Sequence, residues 1–228
     1  MIDVVFTGPL RVNSCVVHLD GSFVFITDPA CCPEFGDENI LTDFLDQRHL
    51  EPVALILTHG HFDHVSGLKT MKKRWPDIPV LIHKADSSGI GHDSQIEQGK
   101  ALTYFGFRSF LPACSDLPEA DDFLCDGKTL GMYKLNKLSP KTLAALNKWN
   151  VISTPGHTPG SVCLYNADEK LLIAGDTVFY HSWGRTDMPG GSESQIQDSL
   201  EGLYKKLPPD TLVYPGHEYY GFELKENY

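Results

Sequence analysis

The sequence predicts a mixed α/β fold, of the α+β kind, in which one β-sheet packs on another and helices cover the outer faces. Short runs rich in β-branched and aromatic residues occur near both ends of the chain and are typical of strands. Between them, strand-like and helix-like runs alternate. Because a sheet must bury its apolar face against another layer, two strand-rich regions that each carry helices indicate two packed sheets.

The first half is expected to open with antiparallel strands. The runs at 15–19 and 23–27 flank Asp20-Gly21, a dipeptide favoured in hairpin turns. Apolar spacing then predicts a helix over 40–45, a strand over 53–57, a helix over 65–75 and a strand over 80–82. Residues 87–126 are rich in Gly, Ser and Asp, so we expect loops with one short helix there.

The second half is predicted to form the other strand-rich region. Ser139-Pro140 has the pattern of a helix N-cap followed by proline at the first helical position. Three apolar runs at 151–154, 161–165 and 171–174 are separated by turn-forming residues and indicate strands. A helix over 196–207 and a last strand over 212–214 complete the expected elements.

Length and composition predict one domain over 1–228, since no Pro/Gly/Ser-rich linker interrupts the 228 residues. The chain shows neither a signal peptide nor a membrane span, and its 6 cysteines form no CxxC pair. We therefore expect a cytoplasmic protein with reduced thiols and no membrane partner. The net charge of −11 disfavours nucleic acid as a partner, because binding a polyanion requires Lys and Arg. A small molecule is the expected ligand.

The segment THGHFDH at 58–64 follows a predicted strand directly and precedes a predicted helix. Its chemical groups are the imidazoles of His59, His61 and His64 and the carboxylate of Asp63. His59 and His61 are alternate residues and point the same way, while the turn into the helix redirects Asp63 and His64. Imidazole and carboxylate together suit zinc, iron or manganese, so the segment predicts a metal site.

Three later residues occupy the same position relative to a strand. His157, Asp176 and His217 each lie just beyond an apolar run, and each is preceded by a glycine that lets the backbone turn tightly. Any one of them could be the polar tip of an ordinary turn. Side chains at strand ends tend to meet at one edge of a sheet, so together with the first cluster they predict a single site.

In order and context, the segments THGHFDH (58–64), PGHT (155–158), GDT (175–177) and PGHE (215–218) resemble the metallo-beta-lactamase superfamily. The resemblance extends from the first hairpin to the last histidine, and it implies a four-layer αββα sandwich. It also implies two divalent metal ions, with zinc favoured and iron or manganese compatible. One ion would bind His59, His61 and His157, and the second Asp63, His64 and His217, with Asp176 as the bridge.

This ligand set leaves coordination positions open for water, which is typical of catalytic sites and not of structural ones. Two cations that share a water lower its pKa and supply hydroxide near neutral pH. Asp63 would orient that hydroxide or accept its proton, which makes it the predicted catalytic residue as well as a ligand.

Two further segments, GRTD with PGG (184–191) and PGHEY (215–219), resemble the glyoxalase II-like hydrolases and the related persulfide dioxygenases. This implies a binuclear metallo-hydrolase that cleaves a hydroxyacyl-glutathione-type or other small thioester. Larger glyoxalase II enzymes add a C-terminal helical domain that helps hold glutathione; we expect no counterpart of it here, so another thioester, a lactone or an ester is an alternative substrate. His64 and Asp176, where β-lactamases carry arginine and cysteine, disfavour antibiotic hydrolysis.

Three other functions are compatible with parts of this pattern. The main alternative is a mononuclear iron persulfide dioxygenase, with iron bound by His59, His157 and Asp176. A metallo-nuclease is disfavoured by the acidic charge balance. A metal-binding protein without catalysis would not need the complete ligand set.

Arg185, Tyr180 and Tyr219 are the predicted substrate-binding residues. Arg185 lies in a glycine-bounded loop after Asp176, where it could bind a carboxylate with two parallel hydrogen bonds. An ion pair of Arg185 with Asp187 or Asp176 is the alternative. The tyrosines would line the mouth of the site or simply pack beside it.

Overall fold

The computed structural model describes residues 1–104, 106–136 and 138–227. Its helices are α1 (Ile40–Gln47), α2 (Phe62–Val65), α3 (Leu68–Arg74), α4 (Ser94–Tyr104), α5 (Pro140–Leu146) and α6 (Glu193–Lys206). Its strands are β1 (Ile2–Thr7), β2 (Val12–His18), β3 (Phe23–Thr27), β4 (Glu51–Ile56), β5 (Val80–His83), β6 (Asp122–Leu124), β7 (Trp149–Ser153), β8 (Val162–Asn166), β9 (Leu171–Gly175), β10 (Val178–Phe179), β11 (Ser182–Trp183), β12 (Leu212–Pro215) and β13 (Phe222–Glu223).

Two mixed sheets form the body of the protein. The first has the order β1-β2-β3-β4-β5-β6 and is antiparallel from β1 to β3 and parallel from β3 to β6. The second has the order β13-β12-β9-β8-β7, in which β9 and β12 are the parallel pair. β10 and β11 form a separate small hairpin.

Alternation along the strands produces four layers. In β3, Phe25 faces the second sheet, where its ring meets that of Trp149 edge-on at 5.4 Å. Val24 and Ile26, on the opposite face, pack with residues of α1 and α3. On the outer face of the second sheet, Leu172 packs with α6. The αββα sandwich and the mixed α/β class predicted from the sequence are thus confirmed.

Two local predictions were wrong in detail: the continuous helix over 65–75 and the loop-rich structure over 87–126. The helix expected over 65–75 is broken into α2 and α3, because the Gly67 amide donates a hydrogen bond to the Pro29 carbonyl at 2.9 Å. A side chain at Gly67 would lie 2.6 Å from that oxygen, so the chain passes too close to the loop after β3 for a continuous helix. In contrast, Ser139 caps α5 as predicted and accepts a hydrogen bond from the Thr142 amide at 3.0 Å.

The region 87–126 contains more regular structure than its composition suggested. It holds the 11-residue helix α4, a 3₁₀ turn at Arg108–Cys114 and the edge strand β6. β6 has 3 residues, too few to show a strand alternation in the sequence. No helix in the described part of the chain is both long and apolar enough to cross a membrane.

The two sheets meet at the edge where β3, β4, β9 and β12 end. The Val162 amide of the second sheet donates to the Thr58 carbonyl beyond β4 at 2.9 Å. The loops after β9 and β12 are joined by a 2.7 Å hydrogen bond from the Gly216 amide to the Gly175 carbonyl. These bonds fix the strand ends from which the predicted site residues project.

Candidate metal centre

The first group of site residues is positioned by an abrupt change from strand to helix. After β4 the chain bends at Thr58 and His59 and is extended at His61, which has φ −70° and ψ 149° and precedes α2. Asp63 and His64 lie in the first turn of α2, so they point in different directions from His59 and His61. All four side chains nevertheless reach the same buried volume at the sheet edge.

His59, His61 and His157 form one potential metal-binding group, with ligand atoms within 4.8 Å of one another. Their rings lie 4.5–4.8 Å apart between centroids and are nearly perpendicular to each other. This arrangement directs nitrogen atoms toward a common point and avoids face-to-face stacking. It suits a cation with three imidazole ligands.

Asp63, His64 and His217 form a second group beside the first. His217 Nε2 lies 3.2 Å from Asp63 Oδ2 and 3.1 Å from His64 Nε2. Asp176 lies between the two groups: its carboxylate oxygens are 3.4 Å from His64 Nε2, 3.5 Å from His157 Nε2 and 3.7 Å from His217 Nε2. The structure thus brings all seven sequence-predicted ligands together.

Hydrogen bonds outside the cluster orient two of the imidazoles. His157 Nδ1 donates to the Arg185 carbonyl at 2.7 Å, and His217 Nδ1 donates to the Leu10 carbonyl at 3.0 Å. A carbonyl oxygen can only accept, so in each neutral ring the proton sits on Nδ1 and the lone pair of Nε2 faces the cluster. That is the tautomer a metal ligand requires.

Asp28, at the end of β3, holds the other side of the cluster. Its oxygens accept hydrogen bonds from the Thr58 amide at 2.8 Å and the Thr58 hydroxyl at 2.7 Å, and Oδ2 lies 3.1 Å from His64 Nδ1. The same Thr58 hydroxyl is 3.1 Å from His59 Nδ1. One carboxylate therefore positions two imidazoles of the site, and it was missed in the sequence.

The electrostatics of the cluster differ between its two sides. Burial lowers the pKa of His61 to about 3, and burial likewise lowers the pKa of His59, so both rings are neutral at pH 7. At His64 burial also acts against protonation, but the carboxylates of Asp176, Asp63 and Asp28 outweigh it and raise the pKa to about 10. The carboxylates make this side of the cluster electronegative, and a divalent cation would neutralise their charge.

Unused ligand atoms and available space both fit metal ions. Among the described residues, the buried atoms His59 Nε2, His157 Nε2 and Asp176 Oδ1 have no hydrogen-bond partner, although buried polar atoms normally find one. Gly216 leaves room beside them: a side chain there would lie 2.2 Å from Asp176 Oδ1 and 2.7 Å from His64 Cε1. The cluster has the donors and the space for divalent metal binding.

A buried carboxylate fastens the loops that carry His61 and His157. Asp86, only 7% exposed, accepts hydrogen bonds from the Gly60 amide at 2.9 Å, the Thr158 hydroxyl at 2.6 Å and the Gly160 amide at 2.7 Å. No pattern in the sequence marked Asp86, which lies between the strand predicted over 80–82 and the region 87–126.

The cluster forms the floor of a cavity of about 690 Å³. This volume is within the usual range for small-molecule sites. The site residues in its lining are His61, Asp63, His157, Asp176 and His217. The remaining lining is largely apolar and aromatic and comes from Phe6, Leu10, Phe62, Phe107, Phe179, Trp183 and Met188, with Arg11, Ser182, Arg185 and Glu218 as the polar members.

The predicted substrate-binding residues occupy different places. Arg185 lines the cavity, and its guanidinium forms two hydrogen bonds with the Asp187 carboxylate at 2.7 and 2.8 Å, the ion pair expected as the alternative to substrate binding. Tyr180 and Tyr219 pack against each other with ring centroids 5.1 Å apart and are not part of the cavity lining. Roles of these three residues in substrate binding stay predictions.

A buried group of imidazole and carboxylate ligands on the floor of an open cavity defines a metal-dependent enzyme. The sequence profile of the metallo-beta-lactamase superfamily matches residues 7–217, and the chain belongs to this superfamily. Fold, site and family together make it a metal-dependent hydrolase.

Two sequence relatives illustrate the range of similarity. The probable metallo-hydrolase YqgX of Bacillus subtilis is 30% identical over 210 residues, which cover 92% of this chain and 86% of the relative. A protein named hydroxyacylglutathione hydrolase from Bdellovibrio bacteriovorus is 29% identical over 207 residues, covering 88% of this chain and 64% of the relative.

Two solved structures share the architecture over nearly the whole chain. BLEG-1, described as a B3 metallo-beta-lactamase, superposes with a TM-score of 0.79 at 26% identity and covers 99% of this chain and 95% of its own. TTHA1623, determined in a di-iron-bound form, gives a TM-score of 0.71 at 28% identity and covers 98% of this chain and 96% of its own.

Proposed function

We propose that this protein hydrolyses a small thioester, of the hydroxyacyl-glutathione type or a similar one, using two divalent metal ions. One observation carries the proposal: seven imidazole and carboxylate side chains, several with unused ligand atoms, meet in one cluster, and five of them line a largely apolar cavity. The relative named hydroxyacylglutathione hydrolase supports the thioester class.

The proposed ligand assignment follows the two groups of side chains. His59, His61 and His157 would hold one ion, Asp63, His64 and His217 the other, and Asp176, which lies between them, would contact both. When bound, two such ions supply hydroxide near neutral pH and stabilise the oxyanion that forms as a carbonyl is attacked. We favour zinc for this imidazole-rich set; the di-iron form of TTHA1623 makes iron the first alternative.

Asp63 is the proposed catalytic residue of the chain itself. Although burial opposes ionisation, the neighbouring imidazoles of His64 and His217 keep the pKa of Asp63 well below its usual range. Its carboxylate is therefore ionised throughout the physiological pH range and would orient the attacking water by accepting a hydrogen bond from it. Asp63 also lines the cavity, where it faces the space that a substrate carbonyl would occupy.

The apolar walls would contribute by excluding bulk water. Phe62 and Phe179 lie next to the ligand residues in the lining, and Met188 adds to the same surface. A low-polarity surrounding strengthens the electrostatic interactions of the site with a developing oxyanion. The six free thiols are compatible with a reducing compartment, and we propose the cytoplasm as the location.

The experiment is the hydrolysis of S-lactoylglutathione by zinc-loaded protein, followed by the loss of thioester absorbance. A kcat/KM above about 10⁴ M⁻¹s⁻¹ that disappears after chelation and returns with zinc would support the proposal. Asp63→Asn should remain folded, retain most of its metal and lose most of its turnover. Wild-type turnover in Asp63→Asn would contradict the role given to that residue.

Two further assays separate the alternatives. Nitrocefin tests β-lactam hydrolysis, which the similarity to BLEG-1 raises. Oxygen uptake with glutathione persulfide tests the dioxygenase. One iron per chain together with oxygen consumption, or cleavage of nitrocefin without cleavage of any thioester, would overturn the proposed function.

A further inference from the structure

We infer that Arg11 binds a carboxylate of the substrate, and that the cavity therefore takes an amphiphilic thioester with a bulky apolar group and a carboxylate. The identification of the ligand as a thioester rests on the proposed function. The carboxylate site itself does not, because it stands on the position, rigidity and charge of Arg11.

Arg11 lies in the tight turn that joins β1 to β2 and contributes to the lining of the cavity. The Arg11 amide donates to the Gly8 carbonyl at 3.3 Å, and Arg11 has a φ of 55°, a left-handed conformation that is uncommon for residues other than glycine. Non-glycine residues in this conformation are more frequent at ligand-binding and active sites.

The turn is fixed from three sides, so Arg11 has a defined backbone position. The Gly8 amide donates to Asp37 Oδ2 at 2.6 Å, and the Leu10 carbonyl accepts from His217 Nδ1 at 3.0 Å. Just beyond the turn, the Asn13 amide donates to the Gly216 carbonyl at 2.7 Å. Because this order exists before the ligand arrives, binding does not have to supply it.

The charge of Arg11 is available to a ligand, in contrast to that of the other cavity arginine. Arg185 is held in two hydrogen bonds by Asp187. Among the described residues Arg11 has no carboxylate within 4.0 Å, and its guanidinium lies over the ring of Phe6 at 4.9 Å from the centroid. A guanidinium stacked in this way keeps the N–H groups at its edge free for a carboxylate.

The cavity that Arg11 lines also exposes large apolar side chains. Phe6, Leu10, Phe107 and Trp183 are 43%, 42%, 37% and 47% exposed, and all four belong to the lining of the cavity. Large apolar side chains exposed together around one cavity are typical of a ligand-binding surface. With the Arg11 guanidinium in the same lining, they indicate a ligand that is mainly apolar and carries one carboxylate.

The test compares two thioesters, S-phenylacetyl-3-mercaptopropanoate and its methyl ester, in which methylation removes the negative charge. The variants are Arg11→Met and the control Arg48→Met. Methionine at position 11 would adopt the same left-handed backbone conformation as arginine, with the same strain. Arg48 is a matched control, since its guanidinium also lies over a phenylalanine ring, Phe44 at 3.9 Å, but outside the cavity.

We expect wild-type protein to prefer the carboxylate substrate by about tenfold in kcat/KM, the equivalent of one charge-assisted hydrogen bond. Arg11→Met should lose this preference through KM, with kcat unchanged and the methyl ester unaffected. Arg48→Met should behave as wild type. An unchanged preference in Arg11→Met would overturn the inference and would indicate that Glu218 or solvent satisfies the arginine.

A binding measurement separates this inference from the proposed function. Calorimetry with 4-phenylbutanoate and 4-phenylbutanamide reports carboxylate recognition without any turnover. If no variant hydrolyses either thioester, the proposed function fails, while weaker binding of the carboxylate alone to Arg11→Met still supports the assignment. Equal binding of 4-phenylbutanoate to Arg11→Met and wild type refutes it.

Discussion

Replacing Asp86 by asparagine should weaken metal binding, although Asp86 contacts no metal-binding side chain. Its carboxylate accepts hydrogen bonds from the Gly60 amide, the Thr158 hydroxyl and the Gly160 amide. Gly60 lies between His59 and His61, and Thr158 follows His157. Asp86 thus sets the distance between loops that carry three of the proposed ligands.

The magnitude follows from the number of bonds and from the chemistry of the amide. Hydrogen bonds to a charged group contribute roughly 1.5–3 kcal/mol each. In Asp86→Asn one carboxylate oxygen becomes an NH₂ group. In either orientation of the side-chain amide, this NH₂ donor faces a backbone N–H, which is also a donor. We expect a loss of about 2–4 kcal/mol in the free energy of unfolding, which a domain with about 5–15 kcal/mol can tolerate.

The decisive assay is the zinc affinity, measured by competition with a chromophoric chelator, beside the thermal unfolding of the metal-free protein. Zinc affinity should fall about 10- to 100-fold, as for other groups that orient metal ligands. Asp126→Asn is the control: Asp126 accepts from the Ser153 amide at 2.9 Å on an exposed loop, so only a small loss of stability is expected. Wild-type zinc affinity in a destabilised Asp86→Asn would refute the positioning role.

Three further predictions test the site and its surroundings. His59→Ala should lose most bound metal by elemental analysis, because the ligand atoms of His59 lie within 4.8 Å of those of His61 and His157 and also of those of His64 and Asp176; full occupancy would contradict the assignment. Gly216→Ala should also lose metal, since the added carbon would lie 2.2 Å from Asp176 Oδ1. Gly202→Ala in α6 is the control, because a carbon added there meets no atom within 4 Å; this variant should keep the metal and raise the unfolding free energy by about 0.5–1 kcal/mol. Ellman's reagent at pH 8 should react rapidly only with the exposed Cys125. Burial keeps the other thiols inaccessible and protonated; for example, it raises the pKa of Cys31 to about 12. Rapid reaction of several thiols before unfolding would be inconsistent with this packing.

The fold and the ligand cluster were predictable because their signals are local. Each ligand follows an apolar run that is recognisable by itself, and strand ends in mixed sheets meet at a common edge. His157 and His217 could be placed beside His59 without knowledge of the strand order. The αββα layering followed from the same elements, together with the resemblance of four short segments to one superfamily.

The supporting residues could not be predicted, because their roles depend on contacts between distant parts of the chain. Asp86 acts on Thr158, 72 residues away, and the Leu10 carbonyl orients His217 across 207 residues. Asp28 did carry a signal, since it follows β3 as directly as Asp176 follows β9. Applying the rule for polar residues at strand ends to the first hairpin would have found it.

The turn between β1 and β2 would link the proposed metal binding to the proposed substrate selection. Its Leu10 carbonyl fixes the tautomer of His217, and the next residue, Arg11, carries the proposed carboxylate site. A change that shifts this turn would therefore alter the ligand geometry and the substrate preference together. A change confined to the Arg11 side chain leaves the Leu10 carbonyl in place and should alter the preference alone. If the superfamily varies its substrates through this turn, replacements must preserve the backbone that holds His217 while varying the side chain that faces the cavity.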